Sequence, residues 1–326
     1  MTTSMFPFAG YWWLYLVFTA LILVLLALDL GVFHRKADEP SFRKATFWMA
    51  VWVALALLFC FGLYQYTGAT FGAVRAKQTA LEFLTGYVVE ESLSLDNMFV
   101  FVMVFAYFKI PAQFHHGVLF YGILGALVFR GIFIALGSTL LQFGWVGILF
   151  GVFLIFTGLK MMLGREQQVD PEKNWVMRLL PKVMPVTPDL AGQKLVTRID
   201  GKLHATPLLL ALAAIETADI IFAVDSVPAI FAITKEPFIV YTSNVFAILG
   251  LRSMYFLLSG AVGRFHLLRY GLAVVLIFVG LKMAWLNPLW GGHFPITLSL
   301  AVIGGVLGAS IALSLLLPRE RQAWAK

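Results

Sequence analysis

The chain has 326 residues, 60% of them hydrophobic and only 13% charged, with a mean hydropathy of +0.88. A water-soluble protein of this length could not bury so much apolar surface, so the composition excludes that class. The net charge of +7 does not indicate a nucleic-acid partner, because the basic residues lie between apolar stretches without forming a continuous patch. The single cysteine, Cys60, excludes an internal disulfide and a thiolate metal cluster.

Nine apolar stretches are long enough to cross the hydrocarbon core of a bilayer as helices. Because open sheet edges cannot face lipid, they predict an all-α polytopic membrane protein. The stretches run approximately over 11–33, 45–66, 80–107, 117–141, 144–163, 206–233, 239–262, 267–287 and 294–317.

The distribution of basic residues predicts the orientation in the membrane. Lysine and arginine concentrate beside the loops at 34–44, 108–116, 164–205 and 263–267 and in the C-terminal tail, whereas the other loops carry only Arg75, Lys77 and Lys235. Since positive charge favours the cytoplasmic side, we expect the N-terminus outside and the C-terminus in the cytoplasm.

The long middle loop contains one signal for regular structure. Asp200-Gly201 separates two short segments that alternate in polarity. This dipeptide is typical of a two-residue β-hairpin turn, so we predict a hairpin in the loop.

An internal repeat relates the two halves of the chain. The sequence at 154–161 recurs at 276–283 with seven of eight positions identical, an offset of 122 that also carries Arg130 onto Arg252. An offset of 129 carries Asp96 onto Asp225 and Glu90 onto Asp219. Because each repeat has three spans, an odd number, the two must insert with opposite orientations.

The chain therefore divides into five predicted segments. They are two N-terminal spans (1–78), a first three-helix repeat (79–163), a cytoplasmic loop (164–205), a second, inverted three-helix repeat (206–288), and a last span with a cytoplasmic tail (289–326).

Acidic residues in the first helix of each repeat are the main functional signal. A carboxylate at the centre of a membrane helix costs roughly 2.5–3.5 kcal/mol on insertion scales, so such residues need a partner and a function. Their side chains, and that of the neighbouring Asn97, offer oxygen atoms, which are the ligands that hard cations such as Mn²⁺, Mg²⁺ and Ca²⁺ prefer. We predict a divalent-cation site formed by Glu90, Asp96, Asn97, Glu216, Asp219 and Asp225.

How these acids share a site is left open by their spacing. Residues six apart on a regular helix differ in direction by about 240°. Glu90 and Asp96 therefore need a kinked or unwound helix to face one site, or they lie at two depths along a path. Because crowded carboxylates repel one another, protons are the expected counter-charge when the site is empty, which makes cation/proton exchange a natural hypothesis.

Further residues near the acids could serve as secondary ligands or gates. For the two arginines, a counter-ion to the acids, a gate and a purely structural ion pair all remain open. Lys160 and Lys282 lie near span ends, and we expect both to snorkel to the interface. The set of secondary residues is Glu91, Ser94, Ser226, Asn244, Arg130 and Arg252.

Two stretches resemble the signature motifs of the TerC/Alx family, a branch of the wider LysE-type set of inverted-repeat exporters. They are the residues 90–97 and 222–229, together with a similar segment at 242–252. The resemblance implies export of Mn²⁺ as a transported substrate across the bacterial inner membrane. It implies site roles for Glu90, Asp96, Glu216, Asp219 and Asp225.

The leading hypothesis is a secondary Mn²⁺ exporter with no organic cofactor, whose partners are the cation, the lipid bilayer and protons. The alternative is a membrane scaffold that helps other proteins to insert or to acquire metal. An intramembrane aspartyl hydrolase is disfavoured, because its Gly-x-Gly-Asp sequence does not occur and the remaining acids would go unexplained. We expect no enzymatic activity, and the sequence does not indicate an oligomeric state.

Overall fold

The computed structural model describes residues 5–28, 42–163, 179, 181–258, 267–290 and 294–317. These residues are mostly helical, as the composition predicts. The long helices are α1 (Phe8–Leu28), α2 (Phe42–Phe71), α3 (Ala73–Tyr107), α4 (Ala112–Leu140), α5 (Gly144–Leu163), α6 (Pro207–Phe231), α7 (Pro237–Leu258), α8 (Leu268–Leu281) and α9 (Ile296–Leu316). A π-helical turn, Lys282–Leu286, and a short turn, Asn287–Leu289, continue α8.

Seven helices in the described part of the chain are long and apolar enough to cross a membrane. They are α1, α2, α4, α5, α6, α8 with its π-helical turn, and α9. This confirms the all-α polytopic membrane fold. The other two long helices, α3 and α7, carry most of the polar residues discussed below, and their crossing of the bilayer stays a prediction, as do the segment boundaries.

The predicted hairpin is present between α5 and α6. Strands β1 (Val196–Ile199) and β2 (Lys202–Ala205) pair antiparallel, with Ile199 opposite Lys202. Asp200 and Gly201 both have positive φ, 49° and 77°, which a type I′ turn requires at its two central positions. Residues 164–178 and 180 of the same loop lie outside the described residues.

The hairpin is joined directly to the start of α6. The hydroxyl of Thr206 donates to the carbonyls of Lys194 (2.8 Å) and Leu195 (2.9 Å), and its backbone N–H donates to Leu195 O. Ala205 exchanges backbone hydrogen bonds with the segment 185–187. The hairpin and the helix that carries Asp219 are therefore one hydrogen-bonded unit.

The helices of the two predicted repeats pack in a matched way. Helix α3 packs on α7, α4 packs on α6, and α5 packs on α8. If α3, α4 and α5 are exchanged with α6, α7 and α8, the first two contacts are converted into each other and the third into itself. The pattern of contacts thus follows the sequence repeat.

Helices α5 and α8 meet through reciprocal glycine contacts. A Cβ added to Gly158 would lie 2.7 Å from Ile277 Cγ1 and 2.8 Å from the carbonyl oxygen of Ala273. A Cβ added to Gly280 would lie 2.8 Å from Ile155 Cγ1 and 2.6 Å from the carbonyl oxygen of residue 151. The offset of 122 converts one set of contacts into the other, and only glycine permits so close an approach.

The expectation that both repeat lysines snorkel is wrong for one of them. Lys160 is exposed, as predicted. Lys282 is only 3% exposed, because it begins the π-helical turn and lies in the interior close to the carboxylate of Glu82. The matching sequence positions therefore have different environments.

Candidate cation site

Arg130 is the centre of a buried polar cluster that joins three helices. Its guanidinium on α4 forms an ion pair with Glu90 on α3 and donates a hydrogen bond of 2.9 Å to Asn244 Oδ1 on α7. Arg130 is 2% exposed and Glu90 0%. Asn244 is fixed in turn, because its Nδ2 donates to the Val240 carbonyl at 2.8 Å. A counter-ion and a purely structural ion pair would both make this contact, so the role of Arg130 stays a prediction.

Helix α6 presents a second pair of acids towards this cluster. Asp219 is 4% exposed and lies close enough to Arg130 for electrostatic attraction. Asp219 and Arg252 also line a small cavity, which is otherwise formed by apolar side chains of α3, α4, α6 and α7. Glu216, three residues earlier and thus on nearly the same face, interacts electrostatically with Asp219. The acids of both motifs therefore approach one arginine.

A glycine on α4, Gly125, leaves room for the side chain of Glu216. A Cβ added to Gly125 would overlap the carboxylate of Glu216. By contrast, nothing lies within 4 Å of the position that a Cβ of Gly131 would occupy on the same helix. Gly125 is therefore the residue that admits the Glu216 carboxylate to the space between α4 and α6.

Several oxygens in this region are buried and accept or donate no hydrogen bond among the described residues. Unpaired polar atoms are costly in a protein interior and are usually satisfied by water, an ion or a partner group. Hydroxyl and carboxylate oxygens are the donors that hard cations prefer. Among the predicted site residues, these atoms are Oε2 of Glu216, Oδ1 of Asp219, both carboxylate oxygens of Glu90 and of Glu91, and the hydroxyls of Ser94 and Ser226, although Glu90 has its ion pair with Arg130.

Asp225 lies apart from this cluster. Its Oδ1 accepts a hydrogen bond of 3.3 Å from Thr157 on α5, and Lys160 on the same helix lies within electrostatic range. Helix α6 is continuous from Pro207 to Phe231, so residues six apart point in different directions. The arrangement agrees with two separate positions along the helix and not with one shared set of ligands.

The remaining predicted residues lie on α3. This helix is also continuous, which excludes an unwound segment between positions 90 and 96 in this structure. Asn97 and Ser94 are buried. The Asp96 side chain lies outside the described residues. Glu91 points away from Arg130, since its Oε1 would lie 3.2 Å from a Cβ added to Gly250, beside Met49 of α2.

Among the described side chains, no three of the His, Cys, Asp and Glu type come close enough together to hold a metal ion. The predicted acids whose side chains the structure describes thus do not form one shared metal site in this conformation. What the structure shows is a series of interactions from Glu90 through Arg130 to Asp219 and on to Glu216. Asn244 is hydrogen-bonded to Arg130, and Arg252 lines the same cavity as Asp219.

A buried acid on α3 escaped the sequence reasoning. Glu82 is 7% exposed and accepts hydrogen bonds from Thr234 (2.6 Å) and Gln78 (2.8 Å), with Lys282 in electrostatic range. It lies near the predicted start of the span at 80–107, and no role was predicted for it from the sequence. The available signal was Lys282, whose charge inside an apolar segment requires a partner.

Comparison with known proteins agrees with the two motifs. The model of the "Integral membrane protein TerC family" matches residues 75–322, which include both acid-bearing helices and the hairpin. The chain belongs to the TerC family. It is thus a multi-pass integral membrane protein of a transporter-like family, and no solved structure matches it.

Bacterial relatives are similar over nearly their whole lengths. "Uncharacterized membrane protein STKORF319" of Myxococcus xanthus is 49% identical over 97% of this chain and 96% of its own. "Putative membrane-bound redox modulator Alx" of Escherichia coli K12 is 46% identical over 89% of this chain and 90% of its own. The protein of the same name from Photorhabdus laumondii is 45% identical, covering 91% and 92%.

Proposed function

We propose that this TerC protein is a secondary transporter that exports Mn²⁺ across the bacterial inner membrane. The cation binds to carboxylates where the two repeats meet, and protons serve as the counter-ion. The N-terminus faces the periplasm and the C-terminus the cytoplasm, as the basic residues indicate.

The single observation that carries the proposal is that an acid of each motif, Glu90 and Asp219, lies within electrostatic range of one buried arginine, Arg130, in the interior of a membrane protein. Intramembrane acids that face the protein interior mark ion pathways, whereas purely structural acids are expected to be fully paired. Oε2 of Glu216 and Oδ1 of Asp219 have no hydrogen-bond partner among the described residues. These two oxygens are available as ligands, whereas Glu90 already has Arg130 as its ion-pair partner.

The matched packing of α3–α5 and α6–α8 supports an inverted-repeat mechanism. Helices α5 and α8 approach in opposite directions, since Gly158 meets Ala273 while residue 151 meets Gly280. A two-fold axis perpendicular to both helices relates these contacts. In transporters with inverted repeats such an axis lies in the membrane plane, and rocking of one repeat against the other exposes the site to each side in turn.

A second function class is a membrane scaffold that helps other proteins to insert or to acquire metal. The observation in its favour is the hairpin, which is hydrogen-bonded to the start of α6. The name of the Alx relatives, a membrane-bound redox modulator, suggests a third function class. A dithiol couple inside this chain is excluded, because Cys60 is its single cysteine. Altered redox state could instead follow indirectly from altered manganese levels, which is compatible with export.

The decisive experiment is Mn²⁺ flux in proteoliposomes with and without an imposed pH gradient, comparing the wild type with Asp219→Asn. We expect the flux of the variant to be at least about 100-fold lower than that of the wild type, since a buried charge partner contributes about 3 kcal/mol or more. Asp189→Asn, at an exposed position of the middle loop, is the matched control and should transport normally.

The outcomes separate the hypotheses. Flux that depends on the pH gradient and disappears in Asp219→Asn supports the carboxylate-based exchanger. Flux that does not depend on the gradient excludes protons as the counter-ion but still supports a transporter. A well-folded wild type without flux contradicts transport and favours the scaffold.

A further inference from the structure

The two buried arginines have no role yet in the proposed transport cycle. A carrier must change conformation both loaded and empty, and an empty site with three ionised acids in the membrane interior is costly. Arg130 lies where a bound cation would also have to lie, in contact with Glu90 and close to Asp219. It already supplies positive charge to acids of both motifs.

We propose that Arg130 and Arg252 are resident counter-charges that compete with the transported cation for the carboxylates. In the empty carrier the guanidinium groups hold the acids, and a divalent cation binds by displacing them. This inference rests on the proposed function and adds to it the residues that set cation affinity and drive release.

The contacts of Arg130 suit a movable group. A guanidinium has five N–H donors, and the Nε of Arg130 donates to no acceptor among the described residues although it is buried. Its Nη1, which contacts Glu90, has two N–H groups and also donates to Asn244 Oδ1 on α7, in the other repeat. The side chain therefore keeps one polar anchor when a cation takes over the carboxylate.

The repeat places the second arginine and an acid at positions that correspond to those of Arg130 and Glu90. The two offsets carry Arg130 onto Arg252 and Glu90 onto Asp219. The structure places Arg252 and Asp219 in the lining of one cavity. Each repeat thus supplies one acid and one arginine, as expected if the two pairs exchange roles when the carrier reverses its orientation.

Electrostatic repulsion predicts whether removal of an arginine strengthens or weakens cation binding. A divalent cation and a guanidinium in contact with the same carboxylate repel each other strongly at the low effective dielectric of a protein interior. If the guanidinium only positioned the carboxylate, its removal would weaken cation binding. If it competes, its removal strengthens binding and slows release.

The test measures Mn²⁺ affinity of the purified full-length protein by calorimetry, and KM and kcat of flux in proteoliposomes, for Arg130→Gln and Arg252→Gln. We expect Kd for Mn²⁺ to fall about tenfold, which corresponds to about 1.4 kcal/mol. The KM and kcat of flux should fall together, because the loaded state is stabilised and release becomes slower. Arg130→Lys retains the charge and should restore Kd to within about threefold of wild type.

Arg75→Gln removes an exposed arginine before the core of α3 and is the matched control, with unchanged Kd. Unchanged or weaker Mn²⁺ binding in folded Arg130→Gln and Arg252→Gln would overturn the competition. Arg252→Gln leaves the ion pair of Glu90 intact, so it carries the test if Arg130→Gln does not fold. A wild type that neither binds nor transports Mn²⁺ contradicts the proposed function itself, a result distinct from failure of the competition.

Discussion

The contact between α5 and α8 and the polar cluster around Arg130 differ in their packing and in the pairing of their polar groups. In the first, glycines bring two backbones together until no side chain fits between them, and the contact is the same from either helix. In the second, charged groups are buried while several oxygens stay unpaired. The α5–α8 contact is therefore closely packed, whereas the polar cluster has unpaired oxygens that can accept a ligand.

The α5–α8 contact should be the more sensitive region to added volume. Gly280→Ala puts a methyl group 2.6 Å from a backbone oxygen, which cannot move aside as a flexible side chain can. Overpacking of this kind costs typically about 1–3 kcal/mol. We expect a clear loss of thermal stability in detergent, measured by the unfolding midpoint.

Gly305→Ala on α9 is the control for this change, since nothing lies within 4 Å of its added Cβ. Equal stability of the two variants would show that the helices separate easily and would remove the contrast between the regions.

Added volume in the polar cluster should affect transport more than stability. Gly125→Ala displaces the carboxylate of Glu216 from its space beside α4. If Glu216 is a ligand, we expect KM for Mn²⁺ flux to rise about tenfold, about 1.4 kcal/mol of lost binding. Gly131→Ala, on the same helix with open space at its Cβ, should leave KM unchanged, and an equal rise there would exclude a specific role of the Glu216 position.

The two repeat lysines give a comparison within the matched halves. Lys282→Met leaves the buried Glu82 without its nearby positive charge, so we expect about 1–3 kcal/mol of destabilisation. Lys160→Met changes an exposed residue and should stay within about 0.5 kcal/mol. Thermal unfolding of both variants tests this, and equal midpoints would mean that the burial of Lys282 carries no energetic consequence.

Glu91→Gln should have the smallest effect on transport. The Glu91 carboxylate faces Gly250 and Met49 and not Arg130, and the amide has nearly the same shape. We expect flux within about twofold of wild type, well under 1 kcal/mol. A loss equal to that of Glu90→Gln would contradict both the repeat alignment and the separation of the two faces of α3.

Much of this architecture could be predicted from the sequence, because its signals are local. Apolar length located the membrane helices, and Asp200-Gly201 located the hairpin turn. The repeat was visible because its glycines, lysine and arginine recur at constant spacing. These features depend on neighbouring residues or on exact recurrence, and both can be read along the chain.

The direction of individual side chains could not be predicted in the same way. The spacing of Asp219 and Asp225 left one shared site and two separate positions equally open, and only the continuous α6 and its neighbours distinguish them. The burial of Lys282 depends on a π-helical turn, and the role of Gly125 depends on which residue of α6 lies opposite. Such facts arise from tertiary packing.

The hairpin offers a way to follow the proposed transport cycle. Because Thr206 and Ala205 tie it to the start of α6, it reports any tilt of that helix at a point about 20 Å from Asp219, at 1.5 Å per residue. A fluorophore on the exposed Lys202, or an antibody fragment raised against the turn, would act as a lever arm that magnifies small rotations at the site. Motion of the acid-bearing helix thereby becomes readable without placing any probe among the acids.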